Sequence, residues 1–367
     1  MRLVRSSVLS MVLLGLAACD GNLFGPTTDP DAPTNLTYQL IPSGDPNTPL
    51  GVLLVWDAPR SGRAVSYDVF GRTGGGQFAR RATTTSTTFH DAGIPEDQYY
   101  VVAFDQAGNE LGSSDRISVD LRNRLPAPTG LRSISLNRGI QLTWNSNAHD
   151  ASPSTFDQYR VYSTLYDATR GVCTATWELE GTTVSDGFFA GSLPNGVTRC
   201  FAVSAVTRTG LESIWSDARF DTPRFDARNV RLYATAARTD SAGFLFVDEI
   251  THLVGAVGAA SRGDLDLKVE RHTDGTLWLT PGRASVTSTL FAATPVADLT
   301  SVDRAPTTGF ANASLQAVPG LAYVFRVDKS DGVHFGAVRV VFVTTDYVIF
   351  DWSYQSGVGN PELNRIP

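Results

Sequence analysis

The sequence predicts an all-β protein with two tandem β-sandwiches followed by a carboxy-terminal antiparallel β-domain. After the amino-terminal segment, no Ala-, Leu- and Glu-rich stretch repeats its apolar residues with the helical period. Short runs that alternate apolar and polar residues dominate instead, and Gly, Pro, Asn and Asp separate them. Two consecutive blocks also present the same features in the same order. This organisation fits the two or three domains that a length of 367 residues predicts.

The first segment, residues 1–18, has the pattern of a secretory signal peptide. Arg2 and Arg5 precede an apolar run that is too short to span a bilayer. The run ends in Leu-Ala-Ala-Cys, which resembles the lipobox of bacterial lipoproteins, where the cysteine becomes the lipidated first residue. We therefore predict lipidation of Cys19 and export to the cell envelope, anchored to the inner or the outer membrane. An ordinary signal peptide is the alternative, and residues 19–30 are predicted to be a flexible tether.

The two other cysteines, Cys173 and Cys200, are predicted to form a disulfide. An exported chain meets oxidising conditions, under which two remaining cysteines commonly pair. Two buried free thiols are the alternative interpretation.

The two blocks, residues 31–121 and 125–224, share a series of strand features. Each begins with a proline and a leucine-containing strand, and an alternating strand that ends in tryptophan follows. The apolar faces of these alternating strands consist of Val52, Leu54 and Trp56 in the first block and Ile140, Leu142 and Trp144 in the second. A Tyr-x-Val strand begins at Tyr67 or Tyr159, and a late strand carries Ala-x-x-x-x-Gly. Period-2 alternation of this kind buries one face of each sheet.

This order of features resembles the fibronectin type III domain, an immunoglobulin-like sandwich of seven strands. The matching pieces are the B-strand tryptophan, the C-strand Tyr-x-Val and the F-strand Ala-x-x-x-x-Gly, and they cover roughly half of the chain. The family places a tyrosine six residues before the alanine, where this chain has Asp97 and Arg199. The sequence therefore does not support the tyrosine corner of the family in either block.

The resemblance also implies where the disulfide would lie. Phe201 and Val203 would face the core, so Cys200 would face outward at the start of strand F. Cys173 would follow strand C, beside the start of strand F, because the two strands are antiparallel. The bridge is therefore expected at one sheet edge and not across the core.

The carboxy-terminal region, residues 225–367, stays β-like but loses this order of features. A hairpin is predicted around the turn Thr273–Gly275. A meander of three strands is predicted near the end, at residues 322–327, 336–344 and 347–354. Its sequence, Tyr-Val-Phe-Arg-Val through Phe-Asp-Trp-Ser-Tyr-Gln, resembles the closing strands of HmuY-like haem-binding lipoproteins. No haem-ligand histidine of that group can be placed on a residue here.

The titratable residues show no metal-ligand spacing. The histidines are His90, His149, His252, His272 and His334, and a structural role is favoured for each. If the last region binds haem or metal, only the final three could supply imidazole. Asp264, Asp266, Glu270 and His272 alternate along one predicted strand, where neighbouring side chains on a face lie about 7 Å apart. We interpret them as a solvated strand face and predict no cofactor.

Three further features have simple interpretations. Arg262-Gly263-Asp264 spells an integrin-binding tripeptide, for which chance occurrence is favoured. The glycine-rich run at 71–76 lacks the Lys-Ser/Thr of a phosphate-binding loop and predicts a hairpin turn. Four aromatic residues are assigned to the sandwich core in preference to a binding surface: Trp177, Phe188, Phe189 and Trp215.

Composition and motifs exclude several function classes. The net charge of −7 gives no support for a nucleic-acid partner. The sequence contains no Gly-x-Ser-x-Gly elbow, and this argues against an enzyme. We therefore expect a binding or adhesion protein with sandwich modules as spacer and a ligand-binding last region, whose ligand is a protein or polysaccharide. A haem or metal scavenger and an accessory or degenerate polysaccharide hydrolase are the alternatives.

Overall fold

The computed structural model describes residues 29–45 and 49–364, which form an all-β fold. The signal segment, Cys19 and nearly all of the predicted tether lie outside the described residues. The chain groups into two compact units. Their bounds are Met1–Thr37, Leu54–Phe89 and Glu96–Ser118 for the first, and Tyr38–Leu53, His90–Pro95 and Val119–Pro367 for the second. The predicted division into three domains, at residues 31–121, 125–224 and 225–367, stays a prediction.

In the part of the first predicted block that the structure describes, the chain forms eight strands. They are β1 (Thr34–Ile41), β2 (Gly51–Asp57), β3 (Ser66–Arg72), β4 (Ala79–Thr84), β5 (Thr88–Ala92), β6 (Gln98–Phe104), β7 (Glu110–Ser113) and β8 (Ile117–Ser118). One sheet has the order β1-β2-β5, and the other has the order β4-β3-β6-β7 with β8 also paired to β6. The glycine-rich run lies at the antiparallel β3–β4 connection, as predicted.

An aromatic pair marks the interior of the first unit. Trp56 and Tyr67 are buried and meet edge to face, with ring centroids 5.5 Å apart. Tyr99, at the start of β6, is fully buried, and its hydroxyl accepts a hydrogen bond from the backbone N–H of Glu96 at 2.8 Å. Tyr99 therefore connects the start of β6 to the preceding backbone. It lies two residues after Asp97, the position where the fibronectin type III pattern has its tyrosine.

The second block repeats the two-sheet arrangement. Its elements are β9 (Arg132–Leu136), β10 (Gly139–Thr143), α1 (Asn147–Ala151), β11 (Phe156–Asp167), β12 (Val172–Cys173), β13 (Glu178–Thr183), β14 (Gly187–Ala190), β15 (Arg199–Thr207) and β16 (Arg219–Asp221). One sheet has the order β14-β10-β9, and the other has the order β12-β11-β15-β16 with β13 also paired to β11. Trp144 and Tyr159 repeat the edge-to-face pair, at 5.2 Å.

The predicted disulfide joins Cys173 in β12 to Cys200 in β15. Both strands belong to one sheet, so the bridge does not cross the core, as the resemblance implied. Cys200 lies outside the core cluster that contains Phe201 and Val203. Cys200 is nevertheless fully buried.

The carboxy-terminal region forms a third pair of sheets. Its strands are β17 (Phe225–Tyr233), β18 (Gly243–Val247), β19 (Val254–Gly258), β20 (Leu267–Arg271), β21 (Leu277–Pro281), β22 (Val286–Leu290), β23 (Leu315–Gln316), β24 (Ala322–Lys329), β25 (Gly332–Val343) and β26 (Tyr347–Gln355). The sheet orders are β17-β26-β25-β24-β22 and β19-β18-β20-β21-β23. The predicted hairpin is β20–β21, and the predicted meander is β24–β25–β26.

A large apolar cluster fills the space between these two sheets. Phe244 and Phe246 of β18 lie in the cluster with Phe325, Phe350 and Trp352. Short 3₁₀ helices occur at Thr239–Ser241 and Leu299–Ser301. The layered packing places the ends of β18, β24, β25 and β26 close to one another.

The predicted solvated face on the β20 strand is wrong for Asp266. The strand begins only at Leu267, and Asp266 precedes it as a fully buried residue. Its carboxylate accepts hydrogen bonds from the Phe246 backbone N–H at 2.8 Å and from Arg283 Nη2 at 3.1 Å. Within β20 the prediction does apply, because Lys268 and Glu270 form a partly exposed pair at 3.5 Å.

Candidate ligand-binding cleft

A cleft of about 480 Å³ lies at one end of the carboxy-terminal sheets. Its polar lining comes from three separate parts of the chain: Glu249, His252, Lys329, Ser330, Asp331, His334, Tyr354 and Ser356. Phe225 and Val247 add apolar surface. The volume lies in the range of small-ligand sites, which is about 300–1,000 Å³.

The β24–β25 turn supplies the central part of the cleft. Lys329 pairs with Gly332 across the hairpin, so Ser330 and Asp331 form a two-residue turn. Gly332 has φ +137°, and a Cβ there would lie 2.5 Å from Val358, which favours glycine at this position. The tight turn holds Lys329 and Asp331 at the end of the hairpin and places His334 on the strand that leaves it.

The loop between β18 and β19 supplies the opposite wall. Asp248 is the anchor of this loop, since its carboxylate accepts hydrogen bonds from the backbone N–H groups of Ile250 and Thr251, at 2.9 and 3.1 Å. Arg262 Nη1 pairs with the same carboxylate at 2.9 Å. The hydrogen bond from Thr251 lowers the pKa of Asp248 most, and the contact with Arg262 lowers it next. Together they hold this pKa far below its ordinary value. The loop thereby presents Glu249 and His252 to the cleft.

Lys329 connects the two walls. Its ammonium donates to the backbone carbonyl of Val247 at 3.3 Å and lies 3.6 Å from Glu249 Oε1. It also lies 5.3 Å from the centroid of the Tyr354 ring, within the range of a cation–π contact. With 7% of its side chain exposed, Lys329 forms part of the floor of the cleft and not of its rim.

His334 and Asp331 form the second ion-pairing group. His334 Nε2 hydrogen-bonds with Asp331 Oδ1 at 3.0 Å, and Nδ1 lies 3.4 Å from the backbone carbonyl of Gln355. The contact with His334 lowers the pKa of Asp331, so this carboxyl is ionised at neutral pH. His334 is buried and stacks on Tyr354, with centroids 5.6 Å apart.

Tyr354 closes the floor of the cleft. Its ring stacks on Phe246 at 5.4 Å, and Gly336 makes room for Phe246, since a Cβ at Gly336 would lie 2.5 Å from that ring. Burial raises the pKa of Tyr354, and the nearby carboxylates of Asp266 and Asp331 add to the effect. The phenol is therefore neutral across the physiological pH range.

The structure brings together some of the residues that the sequence pointed to and separates others. His252 and His334 line the cleft, whereas His272 stacks on Trp278 at 4.2 Å in another part of the carboxy-terminal region. Both ring nitrogens of His334 already have partners, so it offers no open lone pair to an iron atom. The sequence did not point to Lys329 and Tyr354 as site residues, because only the pairing of their strands brings them close to the histidines of the cleft.

The Arg-Gly-Asp tripeptide is folded back on itself. Arg262 donates to both carboxylate oxygens of Asp264, at 2.9 and 2.6 Å, and also pairs with Asp248. The arginine is therefore engaged by two nearby carboxylates. The interpretation of the tripeptide as a chance match stays a prediction.

The aromatic residues of the second sandwich divide between core and surface. Phe188 packs against the core cluster, as predicted. Phe189 is half exposed and lies over Gly139, where a Cβ would come within 2.4 Å of its ring. Trp177 and Trp215 lie outside the core cluster, with centroids 5.1 Å apart, so the core assignment is wrong for these three residues.

Within residues 29–45 and 49–364, no group of three or more His, Cys, Asp or Glu residues is arranged to hold a metal ion. In the same described ranges, no helix has both the length and the apolar character needed to cross a membrane.

Comparison with known proteins gave remote structural likenesses. No protein-family model matches the chain, and no curated protein matches it. A solved fibronectin type III-like protein from Clostridium thermocellum is 18% identical over 28% of this chain and 95% of its own, with a TM-score of 0.21. A segment of two fibronectin type III domains from chicken tenascin is 16% identical over 52% of this chain and 98% of its own, with a TM-score of 0.22. The fold is all-β. This assignment rests on the strands and sheets of the chain itself.

Proposed function

We propose that this protein is an exported, lipid-anchored binding protein. The sandwich modules serve as a spacer, and the cleft of the last domain binds the ligand. The observation that carries this proposal is the convergence of Glu249, Lys329, Asp331 and His334 on one concave surface of the carboxy-terminal domain. Charged side chains around a partly apolar cleft are typical of a site that orients a polar ligand.

The size of the cleft limits what it can hold. A volume of about 480 Å³ accommodates a small molecule or one or two residues of a polymer. A protein or polysaccharide ligand would therefore insert a side chain or a terminal unit and leave the rest of the polymer outside.

Steric blocking tests the role of the cleft. Ser330 is exposed in the β24–β25 turn and lines the cleft, so Ser330→Trp would fill it with little effect on the core. Thr273→Trp, at the exposed tip of the β20–β21 hairpin, is the matched control. Purified chains lacking residues 1–19 would be screened against cell-envelope polysaccharides and surface proteins. We expect at least one ligand whose binding is lost in Ser330→Trp and kept in Thr273→Trp; equal binding by both variants would contradict the proposal.

Lipid anchoring needs its own experiment, because Cys19 lies outside the described residues. In a bacterial host, the parent chain should incorporate a labelled fatty acid and sediment with membranes. Cys19→Ser should lose the label and leave the membrane fraction. Labelling that persists in Cys19→Ser would disprove this part of the proposal.

One observation speaks for the alternative of haem scavenging, since His252 and His334 line the same cleft. The existing partners of His334 speak against it. Addition of haem to the full mature chain decides the matter. A Soret shift that disappears in His252→Ala or His334→Ala would favour scavenging over the proposal above.

A further inference from the structure

We propose that the cleft recognises a cationic group, an amine or a guanidinium, on its ligand. This inference rests on the proposed function and names the ligand chemistry of the same site. It follows from the exposed fractions of the charged side chains, because Glu249 and Asp331 lie at the rim of the cleft, whereas Lys329 and His334 lie in its floor.

The exposed fractions of the side chains define the rim and the floor. Glu249 is 51% exposed and Asp331 is 60% exposed, whereas Lys329 is 7% exposed and His334 is 4% exposed. An entering ligand therefore meets two carboxylates and the exposed imidazole of His252 before it meets Lys329 or His334. A carboxylate has about four acceptor sites, so the contact of Asp331 Oδ1 with His334 leaves acceptor capacity on this group.

The basic groups are already compensated within the protein. Lys329 has the Val247 carbonyl, Glu249 and the Tyr354 ring as partners. An anionic ligand would have to compete with Glu249 for the ammonium and would lie near two exposed carboxylates. A cationic ligand meets attraction from both carboxylates without displacing any of these contacts.

The apolar lining fits the carbon stem of such a ligand. Phe225 and Val247 face the same cleft and can pack against methylene groups, as the stems of lysine and arginine do on apolar surfaces. The net charge of −7 on the whole chain adds a long-range attraction for cations, which salt screens beyond about 10 Å.

The test uses four capped tripeptides that differ only in the central residue. Lysine and arginine are the cationic probes, and glutamate and norleucine are the anionic and neutral comparators. Binding to a soluble form of the chain that lacks residues 1–19 would be measured by ligand-detected NMR titration at two salt concentrations. We expect the lysine or arginine peptide to bind and the glutamate peptide to bind more weakly than norleucine.

Charge-matched variants separate the cleft from the general charge of the chain. Glu249→Gln with Asp331→Asn removes the two rim carboxylates. Asp217→Asn with Asp240→Asn removes two exposed carboxylates that do not line the cleft, with the same change in net charge. Since an exposed ion pair contributes up to about 1 kcal/mol, we expect the cleft pair to weaken cationic binding about fivefold to tenfold. The control pair should change it less than twofold, and unchanged circular dichroism would show that both variants fold.

The outcomes distinguish this inference from the proposed function. Equal weakening in both pairs, preference for the glutamate peptide, or no binding of the cationic peptides would overturn the cationic-ligand inference. If another probe binds and Ser330→Trp abolishes that binding, the cleft remains the ligand site and only the ligand class is wrong. If no ligand responds to Ser330→Trp, both proposals fail.

Discussion

Asp266 is the residue whose environment departs most from its sequence pattern. Burial raises its pKa above the ordinary value of 3.8, although Phe246 N–H and Arg283 act in the opposite direction. A raised folded pKa means that the native state binds the proton more tightly than the unfolded chain. The resulting stability is complete below pH 3.8 and is lost as the pH rises through the folded pKa.

Replacement by the neutral isostere tests this pH dependence. Relative to Asp266→Asn, the parent should lose free energy of unfolding as the pH increases from about 4 to 7, measured by urea denaturation. Asp274→Asn is the control of opposite sign, because hydrogen bonds from Thr276 lower the pKa of Asp274. In that comparison, the parent should lose stability as the pH falls below 3.8. A pH-independent difference between Asp266→Asn and the parent would contradict the argument.

The sequence could not predict the burial of Asp266. Alternation of Asp264, Asp266 and Lys268 looks like the polar face of a strand, but the strand begins at Leu267. The buried partners, Phe246 and Arg283, are 20 and 17 residues away in the chain. Local periodicity contains no information about such partners, and tertiary hydrogen bonds override it here.

At the scale of elements, the β18–β19 loop depends on Asp248. Asp248→Ala would remove the acceptor of the Ile250 and Thr251 N–H groups and the partner of Arg262. Since loss of such a cap costs about 1–2 kcal/mol, local opening should increase about tenfold. Hydrogen exchange should therefore be faster at residues 249–253, and cleft-dependent ligand binding should weaken. Asp240→Ala, at an exposed position, should change neither; identical exchange in both variants would show that the loop is held by other contacts.

The disulfide is the second element-scale feature. Cys173 and Cys200 close a loop with a sequence separation of 27 residues, which in the chain-entropy model stabilises the fold by about 3–4 kcal/mol. A Cys173→Ser and Cys200→Ser variant should lose about this free energy of unfolding in urea. Thiol titration of the denatured parent should detect no free thiol at these positions. A variant as stable as the parent would show that the bridge adds nothing to stability.

The strands were predictable where apolar and polar residues alternate along the chain, but the cleft was not predictable. Val52, Leu54 and Trp56 are all buried, as their period-2 pattern predicted. The β24–β25–β26 meander was predicted for the same reason. The cleft, however, joins Glu249, Lys329 and Tyr354, whose proximity depends on how the two sheets stack. A sequence pattern specifies which face of a strand is buried, but not which strand ends meet.

At the scale of the molecule, hydrogen bonds join the second sandwich to the carboxy-terminal region within the second compact unit. The Ser135 N–H donates to Asn364 Oδ1 at 2.9 Å, and the Asn137 N–H donates to Asp226 Oδ1 at 2.9 Å. Both donors lie in or directly after β9, and their acceptors lie beyond residue 224. The Ser135 contact is buried and the Asn137 contact is exposed. A buried backbone donor that would lose its partner on separation favours unfolding of the two parts in a single transition.

Arg224 lies at this junction, and the burial of its charged side chain is unfavourable for folding. Its side chain is fully buried, and Nε, Nη1 and Nη2 have no hydrogen-bond partner among the described protein groups. Burial lowers its pKa to about 10, against the attraction of Asp226. Replacement of a buried charge by an apolar side chain of similar size is often neutral or stabilising. We therefore expect that the charge of Arg224 does not stabilise the fold and that an apolar side chain of similar size can replace it.

Substitution at Arg224 tests this view of the junction. Arg224→Met should raise the free energy of unfolding by about 1–2 kcal/mol while calorimetry still shows one transition for the second unit. Arg228→Met is the control with the opposite expected sign, because Arg228 pairs with Asp226 at 3.0 Å and with Asp298 at 3.3 Å. If Arg224→Met instead lost more than about 1 kcal/mol, or split the transition into two, the guanidinium would have to act as a bond between the two parts. The junction would then depend on this charge for its cooperativity and not on the hydrogen bonds of Ser135 and Asn137.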